Sequence, residues 1–160
     1  MSVVDIAQGI ARVAHEGQVY VVGTEELPYF EAHLEPVANF VRNMGYDDKT
    51  IAAAYLHDAI EDTETTSQSL LKVGIPSEVV EAIIALTHKD KESLPDYIAR
   101  ICLVPRAIAV KFADSTLNLK TTIRTKDVTK VETFERRKLK YEGNLRILRP
   151  LLPSVEELSD

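Results

Sequence analysis

The stretch YLHDAIEDT, residues 55–63, sets four ionisable side chains, His57, Asp58, Glu61 and Asp62, into a segment otherwise built as core. Ile51, Ala52, Ala53, Ala54, Tyr55 and Leu56 lead into it and Ile60 interrupts it, so a helix here is apolar around most of its circumference. A buried carboxylate or imidazole costs free energy unless a metal, a counter-charge or a proton compensates it. A fold for this chain must bury that helix and still supply such a partner. At about 100° per residue, with His57 as zero, Glu61 falls near 40°, Asp58 near 100° and Asp62 near 140°. The four share one arc, while Ala52, Ala53, Leu56, Ala59 and Ile60 take the other side. An acidic run by itself is ordinarily a solvated face, but a His-Asp pair flanked by alanines and leucines fits that description less well.

Helix signals dominate the rest of the chain. Helices are predicted over about residues 3–15, ending near Gly17, and 31–43, ending before Gly45. Asp47 or Asp48 can cap the helix that carries the His-Asp pair, and the hydroxyl-rich residues 63–67 suit a turn before a short helix up to Gly74. Pro76, Pro95 and Pro105 stand where a helix opens, predicting helices to about Thr87, over 96–103 and over 106–122. A last helix covers about 128–148, before Pro150. Only QVYVVGTEELPY has a β-like run, and it suits a loop or short hairpin. With no repeat, linker or low-complexity tract, the expectation is an all-α bundle of seven or eight helices forming one domain over residues 1–160.

A net charge of −6 and the lack of a long basic run argue against nucleic acid as a partner, since affinity for a polyanion comes mostly from neutralised phosphates. Two local groups, Lys111, Lys120, Arg124 and Lys126, then Arg136, Arg137, Lys138 and Lys140, could still hold a small anion; for the second, a solvated helix face is the simpler account. The single Cys102 sits in an apolar run and suits a buried thiol in a reducing cytoplasm. The N-terminal residues are too interrupted by Asp5, Gln8, Arg12 and His15 for a signal peptide or membrane span, so a cytoplasmic protein without a membrane partner is expected.

Other segments can complete a site around the His-Asp pair. His33 lies in the second helix and Asp114 in AIAVKFADSTLNLKT. Two histidines and two aspartates favour Mn, Fe or Zn over calcium or copper, and such an ion can polarise a phosphoryl oxygen and lower the pKa of bound water. With Asp114 as zero, Asn118 falls near 40°, Lys111 near 60° and Thr121 near −20° on their helix. The stripe suits a phosphate-and-sugar contact surface, and equally a Lys111–Asp114 salt bridge with incidental polar neighbours. His15, ending the first helix, suits a helix C-terminal cation; His88, in a surface turn, carries no assigned role; Tyr97 suits either the pocket or the core.

The ordered set of a lone His33, HDAIEDT (57–63) and KFADSTLN (111–118) resembles the HD-domain metal-dependent phosphohydrolases, and within them the Rel/SpoT-type alarmone hydrolase branch. AHEGQ (14–18) and Pro28-Tyr29 before the histidine are similar to that branch in particular, and the resemblance spans roughly residues 14–141. It implies that His33, His57, Asp58 and Asp114 hold one divalent metal ion, usually manganese in this branch, with iron or zinc as alternatives. It implies that Glu61 and Asp62 orient or deprotonate the attacking water, that Asn118 contacts substrate near a ribose, and, more loosely, that Tyr141 contacts the nucleotide. Lys111 and Thr121 join these as substrate contacts on the stripe described above. The implied activity is metal-dependent hydrolysis of a phosphorylated nucleotide, with a (p)ppGpp-like alarmone 3′-pyrophosphate as the particular case and no alarmone synthesis.

The chain departs from the branch in three places. A basic pair shortly after Gln18 is replaced by Val19, Tyr20, Val21 and Val22, the segment up to His33 is longer, and the position after Asp114, commonly Arg or Lys, is Ser115. The run of valines implies an apolar wall and weak base selectivity. Two other functions stay open on sequence alone: another HD nucleotidase or phosphodiesterase, and a non-catalytic HD module that binds metal and nucleotide. Glu61 and Asp62 favour the enzyme, since a sensor has no need of a water-activating pair.

Overall fold

The computed structural model describes residues 1–126 and 130–159 and is helical apart from one hairpin. The chain runs α1 (Val3–Ala14), β1 (Val19–Val22), β2 (Glu25–Pro28), a π-helical turn (Phe30–Leu34), α2 (Glu35–Asn43), α3 (Asp48–Leu56), α4 (Ala59–Asp62), α5 (Ser67–Lys72), α6 (Ser77–Leu86), α7 (Leu94–Ile101), α8 (Pro105–Arg124) and α9 (Val131–Leu148). Short 3₁₀ turns follow at Arg149–Leu151 and Glu156–Leu158. With α3 and α4 taken as one interrupted helix, the described residues form eight helices, the all-α bundle that the sequence predicts. The predicted start of the last helix, Val128, lies outside the described residues.

Local chemistry explains the helix starts. Ser2 and Asp5 form a reciprocal capping box on α1, Asp47 accepts the Thr50 N–H at 2.9 Å, and Thr66 and Ser93 cap α5 and α7 through Ser69 and Asp96. Pro105 is the first residue of α8, whereas Pro76 immediately precedes α6. Helix α3 is the centre of the bundle, packed by α1, α2, α6 and α8. Its residues 50–56 are all buried, in keeping with a segment expected to be apolar around most of its circumference. Ala52, Ala53 and Ala54 leave room for neighbouring helices to approach.

The hairpin pairs Val19 with Pro28 and Tyr20 with Leu27 across a Gly23–Thr24 turn, where Gly23 takes φ +67°, the left-handed region that a tight hairpin turn uses. After α9 the chain returns to the start of the bundle. The buried Tyr46 donates its hydroxyl to the Pro153 carbonyl at 2.7 Å, and Arg106 Nη2 donates to Asp47 Oδ2 at 2.7 Å and to the Leu158 carbonyl at 3.3 Å. This closure clamps the first turn of α8. Among the described residues, no helix is long and apolar enough to cross a membrane.

Candidate metal centre and cleft

Two irregularities and one regular helix bring four potential ligands together. The chain breaks between α3 and α4 at His57 and Asp58, where His57 Nδ1 donates to the Ala54 carbonyl at 2.6 Å and Asp58 adopts φ −102°, ψ −1°. The continuous helical arc expected for residues 57–62 is thus interrupted, because the His57 ring itself takes a carbonyl of α3. The π-helical turn before α2 carries His33, a placement common for side chains aimed into sites. Asp114 comes from the middle of α8.

His33 Nε2 lies 3.1 Å from Asp114 Oδ1 and 3.6 Å from Asp58 Oδ2, and His57 Nε2 lies 3.1 Å from Asp58 Oδ2 and 3.6 Å from Asp114 Oδ1. Metal–ligand bonds of ~2.1 Å set at right angles space neighbouring ligand atoms by about 3.0 Å. His57 Nε2 is buried with the Asp58 and Asp114 carboxylates 3.1 and 3.6 Å away, neither aligned for a good hydrogen bond. With the Nδ1 proton committed to Ala54, Nε2 is the ring atom that can give up its proton to a cation and present a lone pair to the centre of the group. The donor set fits a divalent transition ion, and its chemistry alone does not choose among Mn, Fe and Zn.

Outer contacts fix the ligands. Tyr29 donates to Asp58 Oδ2 at 2.6 Å, Asn118 Nδ2 to Asp114 Oδ1 at 2.9 Å, and Lys111 Nζ to Asp114 Oδ2 at 2.9 Å. Burial alone would push both carboxyls up, yet Lys111 beside Asp114 and His57 beside Asp58 hold them below the ordinary carboxylate range. Burial would likewise lower His57, and the Asp58 and Asp114 carboxylates raise it instead. The Tyr29 phenol is pushed up by burial and by Asp58, so it remains a donor.

Glu61 and Asp62 are exposed at the edge of this group, each with a carboxylate oxygen within 4.8 Å of one from Asp58 and from the other. Glu61 Oε1 accepts the His88 N–H at 2.6 Å, and Asp62 is shifted up by partial burial and by the Asp58 and Glu61 carboxylates. On the other side opens a cleft of about 1060 Å³. Asn118, Thr121, Thr122 and Thr125 line it from one face of α8, and Phe134, Arg137 and Tyr141 from α9; the hairpin closes it with Tyr20, Val21 and Thr24. Lys126 and Lys130 add two further cations to Arg137.

Comparison with known proteins bears on this arrangement. No family model matches the chain. It is 36% identical over 122 residues to the bifunctional (p)ppGpp synthase/hydrolase SpoT of Escherichia coli K12, covering 70% of this chain and 17% of that protein. It is 32% identical over 123 residues to the guanosine-3′,5′-bis(diphosphate) 3′-pyrophosphohydrolase of Haemophilus influenzae, with the same two coverages. The chain is homologous to the hydrolase region of these SpoT/Rel-type proteins. It spans about a sixth of the length of these relatives. The HD fold itself is shared with a metazoan orthologue of SpoT that hydrolyses ppGpp, at a TM-score of 0.70 and 19% identity, covering 99% of this chain and 94% of the other.

Within this HD domain the expected residues divide into two sets. His33, His57, Asp58 and Asp114 meet in one buried group, and Asn118, Thr121 and Tyr141 line the cleft. Lys111 stands apart from that lining: its ammonium holds Asp114 and lies 5.3 Å from the centre of the Tyr97 ring. Tyr97 is core, donating to the Leu86 carbonyl at 2.6 Å. His15 stands at the C-cap of α1 and is buried, stacked on Tyr29 at 5.2 Å, with Nδ1 2.8 Å from Gln18 Oε1. The Val19–Val22 run is not a uniform apolar wall, because strand alternation exposes Val19 and Val21 and turns Tyr20 inward. Sequence reasoning gave no role to Tyr29 or to the His88 backbone. The first had a usable signal, a tyrosine one helical turn before His33; the second had none, since any residue supplies an N–H.

Proposed function

We propose that this HD domain is a metal-dependent phosphohydrolase acting on a phosphorylated nucleotide, with a (p)ppGpp-type 3′-pyrophosphate as its leading substrate. The observation that carries this reading is the convergence of the His33 and His57 Nε2 atoms on the Asp58 and Asp114 carboxylates, each imidazole within 3.1–3.6 Å of both. His33, His57, Asp58 and Asp114 would hold one divalent ion, manganese in the first instance. When bound, such an ion supplies Lewis-acid polarisation of a phosphoryl oxygen and acidifies water. Asp62, raised in pKa, and Glu61, fixed by His88, accept the proton from the attacking water. Asn118, Thr121 and Tyr141 position sugar and phosphate, while Arg137 and Lys126 attract further phosphate charge. The names of the bacterial relatives and of the metazoan orthologue support a guanosine substrate.

A panel of nucleotides incubated with the chain and Mn²⁺, read as phosphate and pyrophosphate release, tests the proposal. Pyrophosphate release from the 3′-pyrophosphorylated guanosine nucleotide is expected. The hairpin offers no cation to stack on a purine, so the adenine counterpart should differ by less than about tenfold in kcat/KM, or ~1.4 kcal/mol. Absence of product from every nucleotide, with metal bound, would leave a binding module.

A further inference from the structure

Tyr20 touches the metal centre in two ways at once. Its ring lies nearly flat on the ligand His33, with centroids 4.9 Å apart and planes 13° from parallel. Its hydroxyl donates to Asn118 Oδ1 at 2.6 Å. The direction of that bond follows from the next one along. An ionised Asp114 carboxylate only accepts, so Asn118 must turn its NH₂ group toward Asp114 Oδ1, 2.9 Å away, and its own oxygen toward Tyr20. The phenol has to be the donor there, since the amide oxygen only accepts. An amide nitrogen carries two protons; with one on Asp114, the second is presented to an acceptor in the cleft that Asn118 lines.

Nothing else on the hairpin reaches the centre by such a path. Tyr20 sits 98 residues from Asn118 in sequence and belongs to a two-stranded sheet with no third strand, so this contact ties the hairpin wall to the ligand helix. We propose that Tyr20 is a positioning residue of the metal centre: its ring packs His33, its hydroxyl locks the Asn118 amide, and through that amide it holds Asp114 Oδ1 in ligand orientation while fixing Asn118 as a hydrogen-bond donor to substrate. The proposal rests on the reading of His33, His57, Asp58 and Asp114 as metal ligands. Outer partners of metal ligands ordinarily change metal affinity by about 10–100-fold when removed.

The test is calorimetric titration of the metal-free full chain with Mn²⁺, alongside thermal unfolding. Tyr20→Phe keeps the stacked ring and removes one oxygen, and Mn²⁺ binding should weaken by about tenfold while the metal-free melting temperature stays within about 2 °C. Tyr20→Leu, which also loses the ring on His33, should weaken it further. Because the hydroxyl acts through Asn118, the double variant Tyr20→Phe/Asn118→Ala should bind Mn²⁺ no more weakly than Asn118→Ala alone. Unchanged affinity in Tyr20→Phe, or losses that add in the double variant, would overturn the positioning role while leaving the metal site standing. A parent chain that takes up no Mn²⁺ would overturn both this role and the proposed function.

Discussion

The two halves of α8 are built to opposite specifications. From Ala107 to Ser115 nearly every residue is buried, the first turn is clamped by Arg106, and the one carboxylate, Asp114, is held on both oxygens by Lys111 and Asn118. From Thr116 onward no residue of the helix is buried; the side chains that matter are threonines, and they face an open cleft rather than one another. Asn118 stands at the junction, bonded backward to Asp114 and lining the cleft ahead. The difference separates two tasks. A metal ligand must be in place before substrate arrives, so it belongs where packing leaves one arrangement. A surface that accepts a flexible phosphorylated molecule needs polar groups with room around them.

The largest effect should come from the packed half. Asp114→Ala removes a proposed metal ligand and strands Lys111, whose side chain is only 16% exposed, without its partner. Breaking a buried pair in this way costs about 3–5 kcal/mol, so metal retention should be lost together with much of the stability. Elemental analysis and denaturant unfolding read the two losses separately. Equal metal content in parent and variant would remove Asp114 from the ligand set and dissolve the contrast between the halves.

Glu61→Gln should come next, with turnover falling by about 10²-fold or more and the metal retained. A glutamine side chain can still accept the His88 N–H through its oxygen, so the local structure survives the change. Kinetics with metal quantification distinguish the outcomes: lost metal would make Glu61 a ligand, and unchanged turnover would remove it from proton transfer.

Much of the packed half was legible because it is governed by local rules. The alanine-rich approach to His57, the capping residue Asp47 and Pro105 at the start of α8 all announce themselves within a few residues. That His33, His57, Asp58 and Asp114 lie together in the fold was legible from their chemistry and order. The open half was not legible, because it exists only once distant pieces meet. Arg137 and Lys126 belong to different basic groups in the sequence and share one cleft in the fold. Tyr20 looks like part of an apolar strand until its partner, 98 residues away, is known. The helical wheel also put Lys111 beside Asn118 on one stripe, which is correct as geometry; burial decides that Lys111 serves the carboxylate rather than lining the cleft.

Arg137→Ala tests the open half directly. A charge-assisted hydrogen bond to phosphate is worth about 1.5–3 kcal/mol, so KM should rise by roughly tenfold or more with kcat little changed, the signature of a contact made equally in ground and transition states. A fall in kcat at constant KM would instead place Arg137 at the reacting phosphate. That outcome would extend the rigid centre into the cleft.

The smallest effect separates the halves by a single hydroxyl each. Ser115, directly after the ligand Asp114, is fully buried and its Oγ accepts from Asn144 Nδ2 of α9 at 3.3 Å. A long basic side chain at this position would have to displace α9, which is why the small residue stands there in this packing. Ser115→Ala leaves the Asn144 amide buried without an acceptor and should cost about 1–2 kcal/mol, lowering the melting temperature by roughly 2–4 °C for each kcal/mol. Thr122, one turn into the cleft, bonds the Asn118 carbonyl of its own helix at 2.8 Å and is partly exposed. Thr122→Val should therefore stay within about 0.5 kcal/mol of the parent. Thermal unfolding of the two variants side by side gives the comparison, and equal losses would mean that α8 is packed uniformly along its length. The Asn144 amide makes the inequality necessary: water can reach the Thr122 position and replace what is removed, whereas at Ser115 no solvent is available to do so.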